Sequence, residues 1–254
     1  MPPAEPEARP PAASPAAASQ VPSLARVGWG ATLIAGTLAG LLAWAGGEWV
    51  ERANSVRIVS EFEVAGSRQF AQRGAAILAR STLSYGLLGA LVGLALGLVG
   101  GLARRSARGA ITGAVAGMIL GGIAGAVTAR LAVAIFLRNE DTTVSDQMLL
   151  PLLTHGAIWA TLGAAGGLAL AIGLGGPRRR WLHAALGGLL GAVVATTIYE
   201  LVGGLAFPLE ETGQPISSGV GSRLFARLVV AILVAAGATY AVRSAHEAEG
   251  RTAG

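Results

Sequence analysis

Residues 84–129 read SYGLLGALVGLALGLVGGLARRSARGAITGAVAGMILGGIAGAVTA, two glycine-stepped apolar runs joined by a short arginine turn. Each run is close to the roughly 20 residues that an α-helix needs, at about 1.5 Å per residue, to cross about 30 Å of hydrocarbon. Neither run carries a charge. In lipid such a run must be helical, because an open strand leaves its N–H and C=O groups unpaired. The stretch therefore reads as a transmembrane helical hairpin.

Working outward, four more apolar runs of similar length appear. Together the six spans are expected at about 27–47, 83–103, 109–129, 149–173, 182–206 and 224–242, with the third able to continue to Leu137. The fold class is an all-α membrane bundle. Residues 1–25 form a Pro- and Ala-rich tail without an apolar core, so a disordered cytoplasmic segment is expected there rather than a cleaved signal peptide. Residues 26–243 are the membrane domain, and 244–254 a second cytoplasmic tail.

Composition agrees. Only 13% of residues are charged, against about 25% in soluble domains. There is no Cys, which excludes disulfides and thiolate metal sites. The net charge of +5 comes from 19 basic residues, all Arg, most of them in short clusters between apolar runs. That is membrane-flanking charge, not a nucleic-acid surface.

Orientation follows from the links. Arg104, Arg105 and Arg108 occupy the second link and Arg178, Arg179 and Arg180 the fourth, with no acid in either. Glu140, Asp141 and Asp146 mark the third link, Glu210 and Glu211 the fifth. The arginine turns belong on the cytoplasmic side of a bacterial inner membrane, with both termini. The long first loop, 48–82, is the exception: it holds five Arg, offset by Glu48, Glu51, Glu61 and Glu63. Its second half fits an interfacial amphipathic helix or a water-exposed extension of the second span.

A shift of 74 residues aligns the chain with itself without a gap from Ser84 to Ile123. Leu94-Ala95-Leu96 falls on Leu168-Ala169-Leu170, and Arg104-Arg105 on Arg178-Arg179. A tandem helical-hairpin repeat is expected, with spans one and six supplying a third hairpin. Gly89, Gly93, Gly97 and Gly101 recur every fourth residue, as do Gly113, Gly117, Gly121 and Gly125. Gly36 and Gly40, Gly163 and Gly167, and Gly187 and Gly191 continue the pattern. A four-residue step turns about 400°, so each set forms a stripe where two backbones can touch, a glycine zipper.

Few ionisable residues interrupt the spans. Glu48, Arg130, His155, Glu200 and Arg227 all fall toward the outer end, and are expected to form one polar cluster. Its two readings are a solute or proton site in an outward vestibule and a structural Glu–Arg pair that fixes helix register. The His residues show no ligand spacing, so no metal site is expected. Neither a phosphate-binding loop nor a nucleophile elbow occurs. Gly219-Val220-Gly221-Ser222 resembles a serine site only superficially. The expectation is a non-catalytic structural or complex-forming membrane component, with no cofactor, whose partners are the bilayer and another membrane protein or a second copy. The alternative is a small-solute or ion transporter.

Overall fold

A computed structural model describes residues 28–53, 67–139 and 149–252. It is all-helical among the described residues: α1 (Trp29–Ala53), α2 (Ser67–Ala103), α3 (Ala107–Asn139), α4 (Leu149–Leu174), α5 (Arg178–Ala206) and α6 (Val220–Thr252). All six are long and apolar enough to cross a membrane. The chain is a multi-pass membrane protein.

The helices are longer than the apolar runs. Residues 67–80 contain no Pro and, apart from Gly74, are mostly Ala, Arg, Gln and Leu, which are good helix formers. They join the second span without interruption, so α2 is one helix of 37 residues and not an interfacial helix followed by a span. Glu48, expected to close the first span, lies inside α1, which continues for another turn to Ala53. The expected N-terminal tail and the acids of the third link, together with Glu61 and Glu63, lie outside the described residues.

Both arginine turns are built from local hydrogen bonds. The Ser106 N–H donates to Gly101 O at 3.0 Å and the Arg105 N–H to Leu102 O at 2.9 Å, the paired bonds of a Schellman C-cap. Arg105 takes the left-handed position with φ of 56°. Ser106 then caps α3, its Oγ accepting from the Gly109 N–H at 3.0 Å. In the second turn Gly175 holds the left-handed position at φ of 66°. The Arg180 guanidinium donates to the Gly175 carbonyl at 2.9 Å, closing the C-terminus of α4.

Helix α4 is the centre of the bundle, touching α2, α3, α5 and α6, while α1 packs on α2 and α6. Two thirds of the α4 span (67%) is buried, against 28% for α3 and 33% for α1 and α5. Leu88, Val92 and Leu96 of α2, Ile158, Leu162 and Leu170 of α4, and Val230 and Val234 of α6 form the core. Ile34, Ile111, Ile123, Leu131, Leu153 and Leu190 point outward and are exposed, the apolar exterior that lipid requires.

Glycine sets how closely the helices approach. A methyl group on Gly89, Gly93 or Gly97 would overlap the carbonyl oxygen of Gly121, Gly117 or Gly113 on α3, and the reverse substitutions would do the same. Gly101 meets the Ala110 backbone and Gly125 the Tyr85 backbone. Gly36 and Gly40 of α1 face the carbonyls of Ala231 and Arg227 on α6. Gly163 and Gly167 of α4 face Gly188 and Ala184 of α5.

The two hairpins are not in the register that the 74-residue offset predicts. The residues that turn them, Arg105 and Gly175, stand 70 positions apart. Gly187 and Gly191, aligned in sequence with Gly113 and Gly117, therefore do not meet α4. They turn to α6, against Gly237 and the Leu233 carbonyl. Gly175-Gly176-Pro177 ends α4 before the second arginine cluster, which forms the first turn of α5.

Candidate functional site

The polar residues of the spans gather at the end of the bundle opposite the arginine turns. There the segment 207–219 folds over the helix ends. Its anchor is Glu210, whose Oε2 accepts from the Ser222 N–H at 2.9 Å and so occupies one of the open N–H groups that begin α6. The Ser222 side chain and N–H hold the Glu210 carboxyl below the usual carboxylate range. Gly219 makes room for it, since a Cβ there would collide with the carboxylate. The segment is tied down by Tyr85, which donates to Pro215 O at 2.6 Å, and by Arg223 Nη1, which donates to Ser217 O at 2.9 Å and Ser218 O at 2.8 Å.

Two ion pairs and a histidine–glutamate hydrogen bond lie beneath or beside it. Arg223 grips Glu48 in the planar two-point geometry, Nε to Oε1 at 2.7 Å and Nη2 to Oε2 at 2.9 Å. This pins α6 to α1. Arg80 binds Glu51 at 2.8 Å, joining α2 to α1. His155 Nδ1 and Glu200 Oε1 share a hydrogen bond of 2.7 Å between α4 and α5. His155 is packed between aromatic rings, 5.4 Å from Trp159 and 5.3 Å from Tyr199 by ring centres.

Arg227 has no such carboxylate. It is buried at 5% exposure and donates to the carbonyls of Ser84 (3.1 Å) and Ala43 (3.4 Å) and to the Ser84 hydroxyl. Its guanidinium carbon stands 5.9 Å from the centre of the Tyr85 ring. A four-residue step on α6 puts Arg223 and Arg227 on one face, aimed at α1 and α2.

The five residues expected to form one cluster therefore separate. Glu48 belongs with Arg223. His155 and Glu200 form their own pair, so the partner of Glu200 is a histidine and not an arginine. Arg227 sits in a neutral oxygen cage. Arg130 is exposed on α3 and joins none of them. On a helix whose Ala129 is buried, the next residue, 100° around, leaves the packed face. Arg80, Glu51, Ser84 and Tyr85 were not singled out as site residues by sequence. The one signal for Glu51 and Arg80 was an acid and a base on either side of a long loop. Nothing in the sequence marked Tyr85 or Ser84 apart from apolar neighbours.

Two spaces adjoin this network. A vestibule of about 310 Å³ is lined by Arg73, Arg80 and Arg223 and by Glu51 and Glu211. A small cavity of about 20 Å³ lies against Tyr85, Trp159, Tyr199, Arg223 and Arg227. The two share Pro215, Ile216, Ser217 and Arg223 in their walls. The Ser222 hydroxyl lies 2.7 Å from Ser217 Oγ and 3.1 Å from Gly219 O, within a local hydrogen-bonded set. No group of three or more His, Asp or Glu able to hold a metal occurs among the described residues. The chain matches no known protein family, no curated protein and no solved structure.

Proposed function

We propose that this chain is a non-catalytic membrane component, a rigid glycine-zipped bundle that acts as a structural or complex-forming part of a bacterial inner membrane with both termini in the cytoplasm. One observation carries the reading: the half of the bundle nearest the arginine turns is packed backbone to backbone. Gly97 meets Gly113, Gly173 meets Gly97, and Gly100 meets the Leu170 carbonyl, so α2, α3 and α4 converge without space for a side chain. A route for a solute would have to part main chains there. Close main-chain contact is how helices associate where lipid gives no hydrophobic gain.

The hairpins α2–α3 and α4–α5 are read as a duplication in which the second copy turns four residues early. Its sequence support is the gapless glycine and Leu-Ala-Leu match. The transporter reading keeps one specific support, the buried His155–Glu200 pair, which could hold a proton within the span.

Reconstitution into proteoliposomes separates the two. The component reading expects proton and small-ion flux no greater than that of protein-free vesicles, under either polarity of an imposed pH or voltage gradient. Flux that exceeds the blank and disappears in Glu200→Gln would establish transport instead.

A further inference from the structure

We infer that the groove along α4 between α3 and α5 is a binding site for an anionic phospholipid, with the phosphate held by the arginines of the two turns and an acyl chain laid against α4. The inference is independent of the component reading, since a lipid seats on a static bundle as well as on a moving one.

The packing order of the helices leads to the groove. Helix α2 packs on α3, α5 packs on α6, and α1 bridges α2 and α6, so most of α4 is enclosed. Helices α3 and α5 both pack on α4 but not against each other, which leaves one side of α4 open to lipid. Burial marks that opening. From Leu162 to Leu174 every residue of α4 is buried except Ala164, Leu168 and Ile172, which are half-exposed. They stand four residues apart, a step of about 400°, so they form one line. Thr161 begins the line, its hydroxyl 3.1 Å from that of Thr128 on α3, which sets the line beside the α3 wall. From Thr161 to Ile172 the line is about 16 Å long at about 1.5 Å per residue, close to half of about 30 Å of hydrocarbon, the depth of one leaflet.

Charge points to the same place. Where the line ends, the two turns meet: the Arg104 guanidinium packs on Gly175 and that of Arg180 on Gly176, the two residues that follow α4. Arg105, Arg108, Arg178 and Arg179 are exposed in the same turns. None of the six forms an ion pair among the described residues. Nearby segments do not offset them. Helix α6 ends on this side of the bundle with Arg243, Glu247, Glu249 and Arg251, two charges of each sign, and the stretch before α1 has Glu5, Glu7, Arg9 and Arg26, again two of each. Neither α3 nor α5 has an acid in its first turn to offset the positive end of its dipole.

The two observations together fix the class of ligand. Guanidiniums match the oxygens of a phosphate, and basic pockets between spans are where anionic headgroups bind. A soluble phosphate or an acidic peptide would use the arginines and leave the half-exposed line of α4 bare. A neutral lipid would cover the line and leave the arginines unbalanced. An anionic phospholipid does both, since its phosphate is joined to a chain one leaflet long. Trp181, 39% exposed in the first turn of α5, stands at the headgroup level where an indole is favoured.

The test uses the full chain, delipidated in dodecyl maltoside. The thermal midpoint is followed as phosphatidylglycerol, phosphatidylcholine or inorganic phosphate is added at constant ionic strength. A saturable rise with phosphatidylglycerol alone is expected. Arg104→Gln combined with Arg178→Gln removes one arginine from each turn, and should weaken the apparent affinity for phosphatidylglycerol by about tenfold or more, the loss of at least one hydrogen bond to a charged partner. Ile172→Trp fills the line and keeps every arginine, and should weaken it as well, a loss that a purely electrostatic surface would not show. Equal responses to the two lipids, a response to inorganic phosphate as large as that to phosphatidylglycerol, or wild-type affinity in either variant would overturn the inference. If the variants do not fold, native mass spectrometry of the wild-type protein still decides: from an equimolar mixture of the two lipids it should retain phosphatidylglycerol in excess, and retention without preference overturns the site.

Discussion

At the scale of single residues, the end of the bundle away from the arginine turns is governed by the cost of leaving a charge alone. Glu48 and Arg223 are each close to nine-tenths buried along their side chains and bind each other at two points. Replacing either with Ala strands the other, which costs about 3–5 kcal/mol for a buried pair. Removing both costs less than the sum, by roughly 0.5–3 kcal/mol of coupling. Unfolding of the two single variants and the double variant in detergent measures this, and strict additivity would mean that the pair does not act as one. Arg130 supplies the contrast. Being exposed and outside the network, Arg130→Leu should change stability by no more than about 0.5 kcal/mol. Glu210 adds a pH dependence whose sign is set by its depressed carboxyl. Its cap is formed above the unfolded-state value of about 4.3 and is lost as the pH falls through the lower folded-state value. The wild type should lose more of its thermal midpoint than Glu210→Gln between pH 6 and pH 3, each figure being on the order of a unit from those values. Equal losses would remove Glu210 as the anchor of the segment 207–219.

At the scale of elements, the α2–α3 contact gives the sharpest prediction. Gly93→Leu or Gly117→Leu puts a side chain where a main-chain carbonyl already stands. Leu94→Ile changes shape on a half-buried face and leaves the backbone contact intact. The glycine variants should lose about 3 kcal/mol or more, at or beyond the upper end of overpacking costs, and the leucine variant under about 1.5 kcal/mol. Thermal unfolding in detergent that ranks them the other way would detach the glycine stripe from bundle stability. This is also where sequence was most informative. The spans were legible because lipid allows only helices. The length of α2 was not, because apolarity marks only the part of a helix that touches lipid. The register of α4–α5 was not legible either. A glycine pair at a helix end acts through its left-handed dihedrals, which a comparison of residue types does not weigh. The grouping of the polar site failed for a related reason. Depth along a span can be counted from sequence, but which face a residue takes depends on neighbours, and a single step from Ala129 to Arg130 crosses from packed to exposed.

At the scale of the whole molecule, charge and closure are both asymmetric, and together they define a topology that can be tested. The two turns at one end carry Arg104, Arg105, Arg108, Arg178, Arg179 and Arg180 with no acid among them. At the other end Arg80 and Arg223 are neutralised by Glu51 and Glu48, and Glu210 and Glu211 lie in the closing segment. Short links rich in unpaired arginine remain in the cytoplasm, so the closed, glycine-packed end should face inward and the vestibule outward. The chain has no native cysteine, which lets one introduced thiol report on one face. Ala107→Cys, in the first turn of α3, and Ser218→Cys, in the capping segment, are both at exposed positions. In intact cells a membrane-impermeant maleimide should label Ser218→Cys and spare Ala107→Cys, and opening the membrane should make the two equal. The reverse pattern would invert the bundle, turn the vestibule toward the cytoplasm and contradict the arginine rule. Labelling of both positions in intact cells would mean that the two ends are not separated by a membrane, and the six-span reading would fall with it.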